Sequence, residues 1–244
     1  MLSAMTRVIA RLLTGVVAVA AATTLTQIPT AFAAGDTYVR PGDKIVQADK
    51  ENRAFSCTVG VVGRNNETGR DIAITSGHCD TNSGNPVYAA NGSRIGRYVL
   101  SSREETTVML QAGAAGFAII ELDPSVRATA VTPKLGNLVG RGEAGEGDQL
   151  CHSGITTGFS CGKVVAAQTT ALTVAMPSRP GDSGGPVIAY VRDGWTAGEY
   201  NLVGINQGSV NKTGQAIVEP LSTLIASINA SHYSEDWKWY TNPA

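Results

Sequence analysis

The chain is 244 residues long, with 19 Lys and Arg against 20 Asp and Glu and a formal net charge of −1. No basic block or stripe interrupts this balance, which excludes the electrostatic footprint of a nucleic-acid-binding protein. Beyond its amino-terminal leader the chain is long enough for one two-lobed domain or two small ones, and no later apolar stretch approaches membrane-spanning length.

Arg7 and Arg11 precede an apolar stretch, Leu12 to Leu25, broken only by Gly and Thr. Ala31-Phe32-Ala33 follows as a small-x-small cleavage site. This layout predicts a secretory signal peptide over residues 1–33, with Ala34 as the first mature residue. A transmembrane anchor is the alternative, but the run falls short of the roughly 18–20 residues needed to span. The expectation is a secreted, soluble protein without membrane contact once the signal is removed. Loss of the two arginines leaves a net charge of about −3.

In chain order, β-branched and alternating segments predict strands at Ser56–Val62, Asp71–Thr75 and Phe117–Leu122, the last stopped by Asp123-Pro124. Further strands are expected at Gly162–Ala166, Ala171–Ala175, Pro186–Tyr190 and Asn201–Ile205. Turn signals fall at Asn65-Asn66, Asn91-Gly92, Arg141-Gly142 and Asp193-Gly194. Many short strands with few helical patterns point to an all-β barrel or sandwich. The exception is Pro220 to Ala230, where Leu221, Leu224, Ile225 and Ile228 recur at helical spacing behind a proline suited to a helix start. The tail, residues 231–244, carries Tyr233, Trp237, Trp239 and Tyr240, a cluster expected to pack on the body, with a contact surface for another molecule as the alternative.

Four cysteines follow the leader: Cys57, Cys79, Cys151 and Cys161. An even count in a secreted chain reads as two disulfides, and three pairings are open. Zinc is the rival, but no Cys-x-x-Cys spacing supports it. Asn66, Asn91, Asn211 and Asn229 begin Asn-x-Ser/Thr triplets whose use depends on a glycosylating host.

Two segments carry chemistry. Gly181-Asp182-Ser183-Gly184-Gly185-Pro186 sets a serine in a glycine-rich turn, where its hydroxyl can project and backbone N–H groups can converge. About 100 residues upstream, Thr75-Ser76-Gly77-His78-Cys79 supplies a histidine. Serine is a weak nucleophile until an adjacent base takes its proton, and imidazole is suited to that task near neutral pH. The attacked carbonyl then develops charge that fixed N–H donors must meet.

Together the two segments resemble the signatures of the chymotrypsin-like, trypsin-fold serine proteases. Cys151-His152-Ser153-Gly154 with Thr156 to Gly162 is similar to a disulfide loop of the streptogrisin-type bacterial secreted members. Leu202 to Ser209 resembles the strand lining their specificity pocket. The resemblance covers Phe55 to Ala230. It implies an all-β fold of two antiparallel Greek-key six-stranded barrels with a carboxy-terminal helix, the active site lying between the barrels. The protease domain is then residues 34–230. The implied disulfides are Cys57–Cys79 and Cys151–Cys161. The implied roles are Ser183 as nucleophile, His78 as general base and acid, and the N–H groups of Gly181 and Ser183 as oxyanion donors. Substrate-binding positions are expected at Pro177, Asn206, Gln207, Gly208 and Ser209. A polypeptide is the implied substrate, and neither a cofactor nor a metal ion is called for.

The chain also departs from the family. The triad aspartate stands there just before an aromatic-small-apolar-apolar strand, here Phe117-Ala118-Ile119-Ile120, and the residue before it is Gly116. Loss of that carboxylate costs about 10⁴-fold in turnover in proteases of this chemistry. Asp123 lies roughly 20 Å along the strand from Gly116 at about 3.3 Å per residue and reads as a turn residue. Asp80, Glu104 and Glu105 read as surface charges. Gln207 replaces a serine that helps bind substrate backbone and the triad acid. No cysteine is present near Ser183 to form a third disulfide, and no activation-cleavage sequence precedes Cys57. Asp182 is expected to pair with an internal cation, and His152 and His232 to lie on the surface. Two functions follow as expectations: a secreted serine endopeptidase, slow or with a non-standard triad, or a catalytically weak or inactive protease-fold binding module.

Overall fold

The strands form where β-branched and aromatic residues alternate or run continuously, and glycine-rich turns separate them. The computed structural model describes residues 37–102, 116–132, 134–191, 198–231, 233 and 237–241, all within the unit Gly35–Ala244. The signal-peptide segment, Glu104, Glu105, the Asp193-Gly194 turn and His232 lie outside the described residues. The amino-terminal strands are β1 (Thr37–Val39), β2 (Lys44–Ala48), β3 (Ala54–Thr58), β4 (Val61–Asn65), β5 (Arg70–Ser76), β6 (Pro86–Ala89), β7 (Arg94–Ser101) and β8 (Phe117–Leu122). Next come β9 (Val126–Ala128), β10 (Val131–Thr132), β11 (Gly136–Arg141), β12 (Gln149–Gly154) and β13 (Gly158–Ala167). The chain continues through β14 (Leu172–Pro177), β15 (Pro186–Tyr190), β16 (Glu199–Ser209), β17 (Gln215–Pro220), the helix α1 (Leu221–Ala230) and β18 (Trp237–Trp239).

These strands make two large sheets. The first runs β18-β4-β5-β8-β7-β6-β2-β3 with every neighbour antiparallel. In the second, β16-β15-β12-β13-β14-β17 closes into a six-stranded antiparallel barrel because β17 pairs back onto β16. β11 extends it in parallel with β16, and β10 follows β11. The all-β architecture with a carboxy-terminal helix is the one the sequence implied. The expected strand Ser56–Val62 is two strands, β3 and β4, interrupted at Val59-Gly60.

That interruption has a steric cause. A Cβ at Gly60 would collide with the Gly184 carbonyl oxygen and the Ile205 side chain, so only glycine lets the first sheet approach the second here. Both faces of β5 and β8 are buried as a result. Ile72, Ile74, Phe117 and Ile119 face a core shared by the two halves, with Leu138, Ile188, Tyr200 and Leu202 opposite. Their alternates Ala73, Ala118, Ile120 and Leu122 fill the interior of the first sheet. Val164, Val174, Val187 and Val218 fill the closed barrel. Helix α1 presents Leu221, Leu224 and Ile228 to the shared core, the stripe its spacing predicted, and Pro220 occupies the position just before its first turn.

The tail packs on the body. β18 adds to the edge of β4 with Trp239 opposite Gly63, and the Arg141 guanidinium lies 4.0 Å above the Trp239 ring. The Tyr240 hydroxyl donates to buried Asp71, which also accepts the Ala128 N–H at 2.9 Å and lies 3.5 Å from Arg64.

The two disulfides are Cys57–Cys79 and Cys151–Cys161, as the family resemblance implied. The first joins β3 to the turn after β5. The second links residues directly opposite across β12 and β13.

Beside Cys57, fully buried Thr58 makes four hydrogen bonds. Its N–H donates to Ser183 O at 2.9 Å, and its hydroxyl donates to Gly181 O at 2.8 Å while accepting the Ile155 N–H. Its carbonyl accepts the Thr75 hydroxyl at 2.8 Å.

Thr58→Val strips partners from one buried carbonyl and one N–H, and is expected to lower unfolding free energy by about 2 kcal/mol in urea titrations. Tyr240→Phe removes the bond to a buried carboxylate and is expected to cost about 2 kcal/mol by the same measurement.

Candidate active site

His78 sits in the one-turn 3-10 helix Gly77–Cys79, immediately after β5. The turn closes tightly because a side chain at Gly77 would run into the Ser102 carbonyl. Cys79 then fixes its far end through the disulfide to Cys57. Ser183 occupies the turn between β14 and β15, where Gly181 (φ +101°) and Gly184 (φ +84°) take conformations that other residues rarely adopt. A Cβ at Gly184 would strike the Thr75 hydroxyl, so the serine turn packs directly on the histidine strand.

His78 and Ser183 line one cleft of about 670 Å³, together with Gly181, Gln207, Gly208 and Ser209. The N–H groups of Gly181 and Ser183 have no hydrogen-bond acceptor among the described residues. Neither the His78 ring nor the Ser183 hydroxyl has a hydrogen-bond partner among those residues, so the two are gathered in one cleft without being bonded to each other. Burial pushes the His78 imidazole from its ordinary value near 6.5 down to about 4, which leaves it neutral at neutral pH. A neutral ring can accept a proton. The Phe55 ring meets it edge-on, with centroids 6.5 Å apart.

The remaining expected positions divide. Gln207, Gly208 and Ser209 line the cleft, whereas Pro177 and Asn206 do not. Pro177 ends β14 in an exposed position. Asn206 is fully buried beneath the serine turn, donating to Ser178 Oγ and Asp182 O while its own carbonyl accepts the Gly184 N–H and the Ser76 hydroxyl. It supports the turn from below.

Asp182 has no cation partner in a salt bridge among the described residues. Its carboxylate accepts the backbone N–H groups of Thr156, Thr157 and Arg179 at 2.8, 3.0 and 2.9 Å, correcting the expected ion pair. Backbone amides supply the positive field that a cation was expected to bring. His152 is likewise not on the surface. It is completely buried in β12 with its Nε2 at 3.2 Å from the Thr157 hydroxyl, and burial holds its pKa below the ordinary range.

Cys57, His78 and Cys79 bring possible ligand atoms within 4.8 Å of one another, but the two sulfurs are bonded to each other and offer no thiolate to a metal.

Gly116 is buried at the head of β8, and its carbonyl accepts the Gly77 N–H at 2.9 Å. Two of the acids weighed above lie among the described residues. Asp123 pairs with Arg94 at 3.1 Å, and Asp80 accepts the hydroxyls of Ser83 and Ser101. Asp80 is buried, not the surface charge that was expected. Sequence reading missed Glu219. This fully buried residue of β17 accepts the Gly116 N–H at 3.1 Å and a bond from Gln207 Nε2. Gln207 Nε2 also donates to Gly116 O at 2.7 Å. The available signal was a lone acid in the otherwise apolar run Ala216-Ile217-Val218-Glu219-Pro220-Leu221.

No protein-family model matches the chain. It is 31% identical over 185 residues to the uncharacterized protein Rv1815 of Mycobacterium tuberculosis strain H37Rv, covering 72% of this chain and 76% of that protein. The corresponding uncharacterized protein MT1863 of strain CDC 1551 matches to the same extent. Among solved structures, Thermobifida fusca Protease A aligns with a TM-score of 0.61 at 17% identity, over 84% of this chain and 100% of the other. The Nocardiopsis protease NAPase aligns equally well at 21% identity with the same coverage. The Cellulomonas bogoriensis chymotrypsin gives 0.57 at 20% identity, again over 84% and 100%. The chain therefore belongs to the family of the Mycobacterium tuberculosis protein Rv1815, and its fold is that of the bacterial chymotrypsin-like serine proteases.

Proposed function

We propose that this chain is a secreted serine endopeptidase that works through an acyl-enzyme on Ser183. The observation that carries the reading is one cleft holding His78, the Ser183 hydroxyl and two backbone N–H groups without internal acceptors. In the proposed reaction, Ser183 Oγ attacks the scissile carbonyl while His78 takes its proton. The carbonyl oxygen, now negative, receives the N–H groups of Gly181 and Ser183. The imidazolium returns the proton to the departing amine, and water then cleaves the ester with His78 again as base. Solved structures of the same fold are named as proteases and a chymotrypsin, which supports a polypeptide substrate. Export fits the leader pattern of residues 1–33, the two disulfides, and the absence among the described residues of any helix long and apolar enough to cross a membrane.

Two observations favour a second reading, a protease-fold binding module of little activity. His78 and Ser183 are not hydrogen-bonded to each other, and the residue before β8 is a glycine.

A fluorophosphonate probe separates the two. The endopeptidase reading expects stoichiometric labelling of the folded, disulfide-intact protein and its loss in Ser183→Ala; an unlabelled parent leaves the binding module. Substrate choice follows from charge. Among the described residues, the ionisable side chains lining the cleft are Lys44, His78 and Arg179, with no carboxylate beside them. Peptides with Lys or Arg before the scissile bond are therefore expected to be cleaved at least tenfold less efficiently than neutral or acidic ones. A peptide-library digest read by mass spectrometry checks this.

A further inference from the structure

Four carboxylates are buried among the described residues: Asp71, Asp80, Asp182 and Glu219. A buried carboxylate is costly unless donors meet it, so the partners of each reveal what it serves. Asp71 is taken by Ala128, Tyr240 and Arg64. Asp80 holds Ser83 and Ser101, and Asp182 holds three amides of the serine turn and its neighbour. Glu219 is bonded to the residue that stands where the fold's aspartate is missing.

Its setting is specific. Glu219 Oε2 accepts the N–H of Gly116 and a hydrogen from Gln207 Nε2, and the other hydrogen of that amide goes to Gly116 O. One Gln side chain therefore clamps a carboxylate to a single residue, Gly116. The Gly116 carbonyl also accepts the N–H of Gly77, the residue preceding His78. A Cβ at 116 would meet the Ser102 carbonyl oxygen at 3.0 Å and lie 3.8 Å from both N and Cα of Gly77, on the same segment.

We propose that Glu219 is the acid of this site, a carboxylate delivered from β17 and held by Gln207 and Gly116, which serves His78 in place of the aspartate absent at position 116. The assignment rests on the serine-hydrolase reading for its catalytic meaning. Glu219 acts as a positioning residue: it contacts neither substrate nor the reacting atoms, and its charge supports the imidazolium that forms when His78 takes the Ser183 proton. Gly116 and Gln207 then belong with it. An aspartate at 116 would crowd a second negative charge against Glu219, and a serine at 207 would be too short to bridge two acceptors.

The test uses the whole secreted protein and two readouts, the second-order rate of fluorophosphonate labelling and the NMR titration of His78, assigned by its loss in His78→Gln. The parent His78 is expected to titrate at least one pH unit above His78 of Glu219→Gln. Labelling of Glu219→Gln is expected to fall at least tenfold, toward the roughly 10⁴-fold loss known for removal of the triad acid. Gly116→Asp added to Glu219→Gln is expected to restore a substantial part of both. The charged groups that share the cleft with His78, Lys44 and Arg179, stay the same throughout. Should Glu219→Gln not fold by near-UV circular dichroism, Glu219→Asp carries the same comparison, with intermediate changes expected. An unchanged His78 titration overturns the assignment whatever the labelling does. A parent that takes no probe but shows the titration shift defeats the hydrolase reading and leaves Glu219 as the partner of His78.

Discussion

Two consecutive residues at the end of β3 hold the cleft together. Cys57 is covalently joined to Cys79, so the histidine turn cannot drift from β3. Thr58 grips the serine turn at two carbonyls, those of Gly181 and Ser183. Ser183 and His78 come from segments about 100 residues apart in sequence, yet each is fixed to the same dipeptide directly or through its immediate neighbour. The glycines follow from this constraint. Gly60 and Gly184 stand where the two halves touch, and a methyl group at either would push serine turn and histidine strand apart.

The shared core does the same on a larger scale. β5 and β8 bury both faces, one toward their own sheet and one toward the closed barrel, so displacing one half exposes apolar surface belonging to both. The tail adds to this by covering the β4 edge, which otherwise presents unpaired backbone groups to solvent.

Strands buried on both faces were the legible part of the sequence. Phe117–Leu122 and Pro186–Tyr190 were read with their observed ends, because each is a mostly apolar run that begins directly after a glycine. The hairpin of β6 and β7 was not read at all. Arg94 and Arg97 face outward between buried Ile95, Gly96 and Tyr98, and that mixture lacks a clear period. At the site, the serine and histidine segments were legible because their chemistry is carried by short contiguous strings. His152 and Asp182 were misjudged because their surroundings are set by backbone amides and neighbouring strands, which sequence does not display. Glu219 was missed for a related reason: its partners lie 12 and 103 residues away and meet it only through the β16–β17 pairing and the packing of β8 beside it. Gly116 and Gln207 looked like separate defects in a familiar pattern. In three dimensions they are adjoining contacts of one carboxylate.

In the proposed reaction Ser183, His78 and the amides of Gly181 and Ser183 act together on one carbonyl. A crystal structure of the protein soaked with a peptidyl boronic acid tests it most directly. The expected result is boron bonded to Ser183 Oγ, one boronate oxygen about 2.7–3.1 Å from the N atoms of both Gly181 and Ser183, and the His78 ring within hydrogen-bonding reach of Ser183 Oγ or the boronate. A boronate absent from Ser183, or bound there with its oxygens turned away from both amides, would contradict it.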